Sequence, residues 1–161
     1  EGGSCFIDDY VATHERVADY LTRFSGLVAG DLDPAVTTHH LVPLKTAYLK
    51  LRWLVDRGCV FVGHGLAKDF RIVNIHVPPD QIVDTVHLFR LKGQRMLSLR
   101  FLAATLLDLD VQSAGADGHD SIEDARTALL LYKKYRALKQ AHDFKRTLDE
   151  LYAHGRATGW K

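Results

Sequence analysis

The run CVFVGHGLAKDF, residues 59–70, restricts the fold more than any other part of the chain. A short continuous apolar run is the pattern of a strand buried on both faces, which requires helices on both sides of its sheet. Gly63 and Gly65 suit a tight strand-to-helix turn, and GLAKDFRIVNI then takes up helical spacing. QIVDTVHLF, residues 81–89, is a second β-branched apolar run, entered through the breaker VPPD. Strands that alternate with helices in this way predict an α/β layered domain.

The helical segments are read from their periodicity and caps. THERVADYLTRFSG, residues 13–26, is predicted helical, with Thr13 as cap, Val17, Tyr20, Leu21 and Phe24 as apolar stripe, and Gly26 as stop. PLKTAYLKLRWLVDRG, residues 43–58, is stronger: Pro43 suits the first turn, and Leu44, Ala47, Tyr48, Leu51, Leu54 and Val55 share one face. SLRFLAATLLDLD is a helix capped by Ser98, and QSAGADGHDS is a glycine-rich loop in which Gly115 and Gly118 would let the chain open and close over a substrate. SIEDARTALLLYKKYRALKQ, residues 121–140, is the longest helix, and helical character continues toward HGRATGWK, which reads as a docked or loose tail.

With 161 residues, 47% hydrophobic, the chain suits a single domain over 1–161 that buries roughly 70% of its unfolded surface without disulfide or zinc. A net charge of +1 supplies no uniform field, so a nucleic acid would have to be engaged locally, at a site. Cys5 and Cys59 form no CxxC pattern and read as reduced core residues of an intracellular protein. No secretory signal and no apolar run near 18 residues is present, so no membrane association is expected.

Two carboxylates fall on faces where they are costly. Advancing about 100° per residue after Gly65 puts Leu66, Phe70 and Val73 on one side, and Asp69 falls within that arc. On the long helix Asp124 lies between the directions of Leu131 and Tyr135, inside a wide apolar face. Burying an ionised carboxylate costs several kcal/mol (~) unless a cation or donors meet it. Hard oxygen ligands of this kind favour magnesium or manganese. Each acid also has a plainer reading: Asp69 as a helix-edge acid, and Asp124 with Ser121, or Glu123 with Asp120, as a capping box. His119 precedes Asp124 by five residues and is placed to take a proton from an attacking water, or is a solvated loop histidine. Asp84 ends an apolar strand before Thr85, where a turn or cap role is expected, with a ligand role as the alternative.

Together GHGLAKDF, DTVHLF and HDSIEDA resemble the later motifs of the DEDDh 3′→5′ exonucleases, which share a ribonuclease H-like, three-layer α/β fold. Three longer stretches, from FIDDYVATHE to GDLDP, from LKTAYLK to DTVHLF, and HDSIEDARTALLLYKKYRALK, are similar to the exonuclease domains of PAN-type deadenylases. The likeness covers nearly the whole chain, including LDELYAHGRATGWK. It implies a poly(A)-specific 3′→5′ exoribonuclease that shortens messenger RNA tails and releases 5′-AMP. It further implies a two-metal Mg2+ or Mn2+ site held partly by Asp69 and Asp124, with His119 activating water. The resemblance also implies a cytoplasmic, larger catalytic subunit that works with a pseudokinase-like regulatory subunit on single-stranded poly(A). His64, at the turn, and Arg95, Ser98 and Arg100, before the next helix, are candidates for substrate binding.

One departure from the family pattern stands out. No Asp-x-Glu occurs on an apolar strand near the start; IDDY sets Asp8 beside Asp9 without that spacing. The expectation is that the first strands, with two further acids, lie upstream. The alternatives are an exonuclease fold that has lost its metals and serves as a binding or assembly module, and a related nuclease acting on short RNA or DNA 3′ ends.

Overall fold

The computed structural model describes residues 3–112 and 118–160. In chain order the elements are β1 (Tyr10–Val11), α1 (Thr22–Ser25), β2 (Leu41–Val42), α2 (Leu44–Asp56), β3 (Phe61–Gly63), α3 (Ala67–Ile72), β4 (Ile82–Asp84), α4 (Thr85–Leu88), α5 (Leu99–Leu107), α6 (Ser121–Gln140) and α7 (Phe144–Thr158). β1 lies parallel to β2, pairing Tyr10 with Leu41 and Val11 with Val42, and β3 pairs with β4. Among the described residues no helix is long and apolar enough to cross a membrane.

The chain forms two compact units. The first comprises Glu1–Phe61, Ala67–Ile82 and Ala114–Ile122. Its core is Val55, Ile75 and Val77, packed by Tyr48, Leu51, Phe61, Phe70 and Val73. Phe61 meets Phe70 edge-on, with ring centroids 5.4 Å apart, so the strand and the following helix share one apolar seam. The face predicted for α2 is the packed one except at its start, where Leu44 is exposed. At β1 the Lys50 ammonium grips the Asp9 carboxylate at 2.7 and 2.9 Å and holds it below the usual carboxylate range, with His40 assisting.

The helix expected over residues 13–26 is a correction. Only Thr22–Ser25 is helical, Leu21 sits in the left-handed region, and Leu21 and Phe24 are exposed rather than forming a buried stripe. Propensity without a partner surface does not hold a helix of this length together. The predicted stop is right: Gly26 adopts φ 70° and donates its N–H to the Thr22 carbonyl. The cysteines are also corrected. Both are free thiols, but Cys5 is exposed and Cys59 only half-buried, so neither is a core residue.

The second unit comprises Val62–Leu66, Val83–Ser113 and Glu123–Lys161. Phe89, Leu97, Leu99, Phe101, Leu102, Leu131, Leu148, Leu151 and Tyr152 make its core. Ser98 caps α5 as expected, accepting from the Phe101 N–H. The segment read as a tail is instead the last turns of α7, which runs to Thr158. Gly159 then turns the chain, and Trp160 folds back on Gly155, where its N–H reaches the Gly155 carbonyl. The indole packs against Phe101 and Tyr152, so burial of one aromatic ring fixes the end of the helix.

Candidate active-site residues

The turn after β3 is organised by Asp84. Its carboxylate, only 7% exposed, accepts from the N–H groups of Gly65 (2.9 Å), Leu66 (3.0 Å) and Val86 (3.0 Å). The last of these is the cap of α4, the role its position before Thr85 predicted. The other two tie the β3–α3 turn to the end of β4. Gly65 has φ 87°, a conformation that favours glycine, which the tight turn requires. Beside it the fully buried Thr85 hydroxyl donates to the Gly63 carbonyl at 2.9 Å. That commits the hydroxyl proton, so the His64 Nδ1–H is the donor in the 2.9 Å bond to Thr85 Oγ1. Burial pushes the His64 imidazole below its ordinary pKa; Asp84, the Leu97 backbone and Asp124 pull it back only in part.

Asp69 lies on α3, in the first turn. The inward orientation expected from the helical wheel is corrected: Asp69 is exposed, and Ile72, three residues on, is 78% exposed. The six-residue helix turns only its Phe70–Val73 edge to the core. Asp69 sits about 70° from the centre of that edge, outside the packed arc.

Asp124, in the second unit, is half-buried on the α6 face that carries the buried Thr127, Ala128 and Leu131, as the periodicity predicted. Its Oδ1 accepts from Gln112 Nε2 at 2.8 Å, while the Gln112 backbone N–H donates to Glu123 Oε2 at 3.1 Å. Gln112 is a residue the sequence reading missed; it stands in an aperiodic loop, where nothing in the local pattern marks a partner. The capping contact at this helix comes from Asp120, whose Oδ1 accepts from the Ile122 N–H at 2.7 Å.

His119, in the first unit, is half-buried and lines a cavity of about 540 Å3 together with Asp8, Asp9, Tyr10, Gly26 and Asp120. Gly118 has φ 75°, and a Cβ there would run into the Thr22 carbonyl and the Gly26 backbone, so glycine answers a close approach. Gly115 lies outside the described residues.

The remaining candidates have structural partners. The Arg95 guanidinium lies 4.7 Å from the centre of the Trp160 ring, and its carbonyl accepts from Tyr152 Oη at 2.6 Å. Ser98 is the α5 cap, and Arg100 contacts Asp110 at 3.4 Å on the surface. As to metal, Asp69 and Asp124 are hard oxygen donors of the type a divalent ion takes. Among the described residues no group of three or more His, Cys, Asp or Glu gathers to hold an ion.

Comparison with known proteins settles the family. A family profile described as "Exonuclease" matches residues 2–132. The chain belongs to the exonuclease family. Among curated relatives of this exonuclease, the PAN2-PAN3 deadenylation complex catalytic subunit PAN2 of Gallus gallus is 55% identical over 163 residues, covering 99% of this chain and 13% of its own length. The corresponding Schizosaccharomyces pombe subunit is 58% identical over 155 residues, covering 96% of this chain and 14% of its own. The chain thus spans about 13% of the length of such relatives.

Solved structures agree. The Saccharomyces cerevisiae apo Pan2 pseudoubiquitin hydrolase-RNA exonuclease module in complex with A7 RNA superposes with a TM-score of 0.92 at 50% identity, covering 99% of this chain and 26% of that one. The Neurospora crassa Pan2 catalytic unit, with protease and nuclease domains, gives 0.88 at 49% identity, covering 93% and 24%. The fold is therefore that of the exonucleases, α/β and ribonuclease H-like, as the sequence motifs implied.

Proposed function

We propose that this chain is a single exonuclease domain of a poly(A)-specific 3′→5′ exoribonuclease, which shortens messenger RNA tails and releases 5′-AMP. The observation that carries the reading is the similarity, over nearly the whole chain, to catalytic subunits of the PAN2-PAN3 deadenylation complex, at 55% and 58% identity in two of them. In such an enzyme a divalent ion, Mg2+ or Mn2+, neutralises charge at the scissile phosphate. Asp69 and Asp124 are each proposed to offer carboxylate oxygens to such an ion. His119 takes the proton from the attacking water, and its cavity gives solvent a route to the imidazole.

Selectivity for poly(A) rests on stacked bases and backbone contacts more than on base edges, as is general for single strands. His64, Arg95, Ser98 and Arg100 are proposed contributors. The Arg95–Trp160 pair offers a cationic and aromatic surface of the kind on which bases stack. The whole protein is proposed to act in the cytoplasm with a regulatory subunit of pseudokinase type. A solved Pan2 module in complex with A7 RNA supports an A-rich substrate here.

The test uses the full-length protein and a 20-adenosine RNA. Wild type should release 5′-AMP stepwise from the 3′ end. Asp69→Ala and Asp124→Ala should abolish release, and His119→Ala should slow it about 10²- to 10⁴-fold. Full activity in either aspartate variant sinks the assignment. Competition with mixed RNA and single-stranded DNA separates poly(A) selectivity from a general 3′ nuclease. RNA binding without AMP release from wild type would instead favour the binding module.

A further inference from the structure

Gln112 makes two bonds to adjacent residues of one helix. Its side-chain amide donates to Asp124 Oδ1 at 2.8 Å, and its backbone N–H donates to Glu123 Oε2 at 3.1 Å. A single-point surface contact between long side chains is easily lost to solvent. Here the backbone bond holds the residue in place and the amide then reaches the neighbouring carboxylate. The chain accepts a left-handed conformation at Gln112, φ 52°, to do so; a non-glycine residue reaches that region at a cost and needs compensation from its surroundings. Asp124 is half-buried above Thr127 and Ala128, where a carboxylate held by a donor keeps one rotamer.

We propose that Gln112 is a positioning residue for the exonuclease reaction: it fixes the Asp124 carboxylate so that the carboxylate presents itself to a divalent ion in one orientation. The inference rests on the proposed function, in which Asp124 is an ion ligand. In this reading Gln112 acts through Asp124. Its amide donates to one carboxylate oxygen and so restricts rotation about the Asp124 Cβ–Cγ bond. Partners that orient ligands in this way are typically worth about 10- to 100-fold in metal affinity or activity.

The test is Gln112→Met in the full-length protein. Methionine keeps the length of the side chain and the backbone N–H to Glu123 but has no amide to donate. Gln140→Met, at the exposed far end of α6, is the control. Two readouts are taken: steady-state release of 5′-AMP from a 20-adenosine RNA, and thermal unfolding titrated with Mn2+ in the absence of RNA. Gln112→Met should lower kcat about tenfold or more and raise the Mn2+ concentration for half-maximal stabilisation about tenfold, with KM for RNA unchanged within about twofold. The unfolding midpoint without Mn2+ should stay within about 2 °C of wild type.

A Gln112→Met protein with wild-type kcat and wild-type Mn2+ titration overturns the proposal. So does a variant whose only change is a lower midpoint without Mn2+, because that is a structural contribution alone. Asp124→Ala measured in parallel keeps the two ideas apart. If Asp124→Ala retains activity, the functional reading has failed; if it is inactive while Gln112→Met is normal, only the role of Gln112 has.

Discussion

Removing the Asp84 carboxylate tests how the β3–α3 turn is held. In Asp84→Ala three backbone N–H groups, those of Gly65, Leu66 and Val86, lose their acceptor at once. Asp84 is 7% exposed, so water replaces the carboxylate poorly. Each buried donor left without a partner costs about 1–3 kcal/mol, and bonds to a charged acceptor are at the stronger end. Allowing for some entry of water into the vacated space, the loss is roughly 3–5 kcal/mol, large for one residue.

The loss should be local before it is global. A single lost bond lowers the protection of its amide about tenfold, and opening of the turn as a unit, at about 3 kcal/mol, lowers it about 150-fold. Hydrogen exchange read by mass spectrometry on peptides spanning residues 61–70 and 84–89 measures this directly in the full-length protein. Asp84→Asn retains one acceptor oxygen and should fall between alanine and wild type. Unchanged exchange at Gly65 and Leu66 in Asp84→Ala would refute the reasoning, because the turn would then be held by packing and not by the carboxylate. The activity should fall with it, since α3 and Asp69 begin directly after this turn.

Two further outcomes follow from a half-buried imidazole and a buried hydroxyl in the second unit. His64 has a folded pKa held below its unfolded value near 6.5 by burial, so the neutral ring is the one that folding favours. Its contribution is present above about pH 6.5 and is lost as pH falls below that toward the folded pKa; His64→Gln should flatten this part of a stability–pH profile, and an unchanged slope below about pH 6.5 would count against it. The Tyr152 hydroxyl, fully buried, donates to the Arg95 carbonyl at 2.6 Å and accepts from the Leu91 N–H at 3.3 Å. Tyr152→Phe should cost about 1–3 kcal/mol in denaturant unfolding with little change in activity, and a loss near zero would mean the Arg95 loop finds other partners.

Periodicity by itself determined where helices with a wide apolar face run. α6 begins at Ser121 and ends at Gln140, the limits its sequence pattern sets, and α5 starts at the Ser98 cap that its first turn announces. The motifs GHGLAKDF and HDSIEDA pointed to the family in a chain whose strands are only two or three residues long. The side on which Asp124 stands was also legible, since α6 is long enough for its packed stripe to define a face.

What only the tertiary structure decided are the places where a local pattern has no partner surface, or where the partner is remote in sequence. Residues 13–21 have apolar spacing, but Leu21 and Phe24 stand in solvent and only the turn Thr22–Ser25 is helical. On the six-residue α3 the packed arc is too narrow for a wheel to assign an edge residue, and Asp69 falls on the outside. The bonds from Asp84 to Gly65 and Leu66 cross 19 and 18 residues, and that from Gln112 to Asp124 crosses 12. Hydrogen bonds of that span depend on chain paths rather than on local periodicity, which is why the helices could be read in advance and the donors that hold their carboxylates could not.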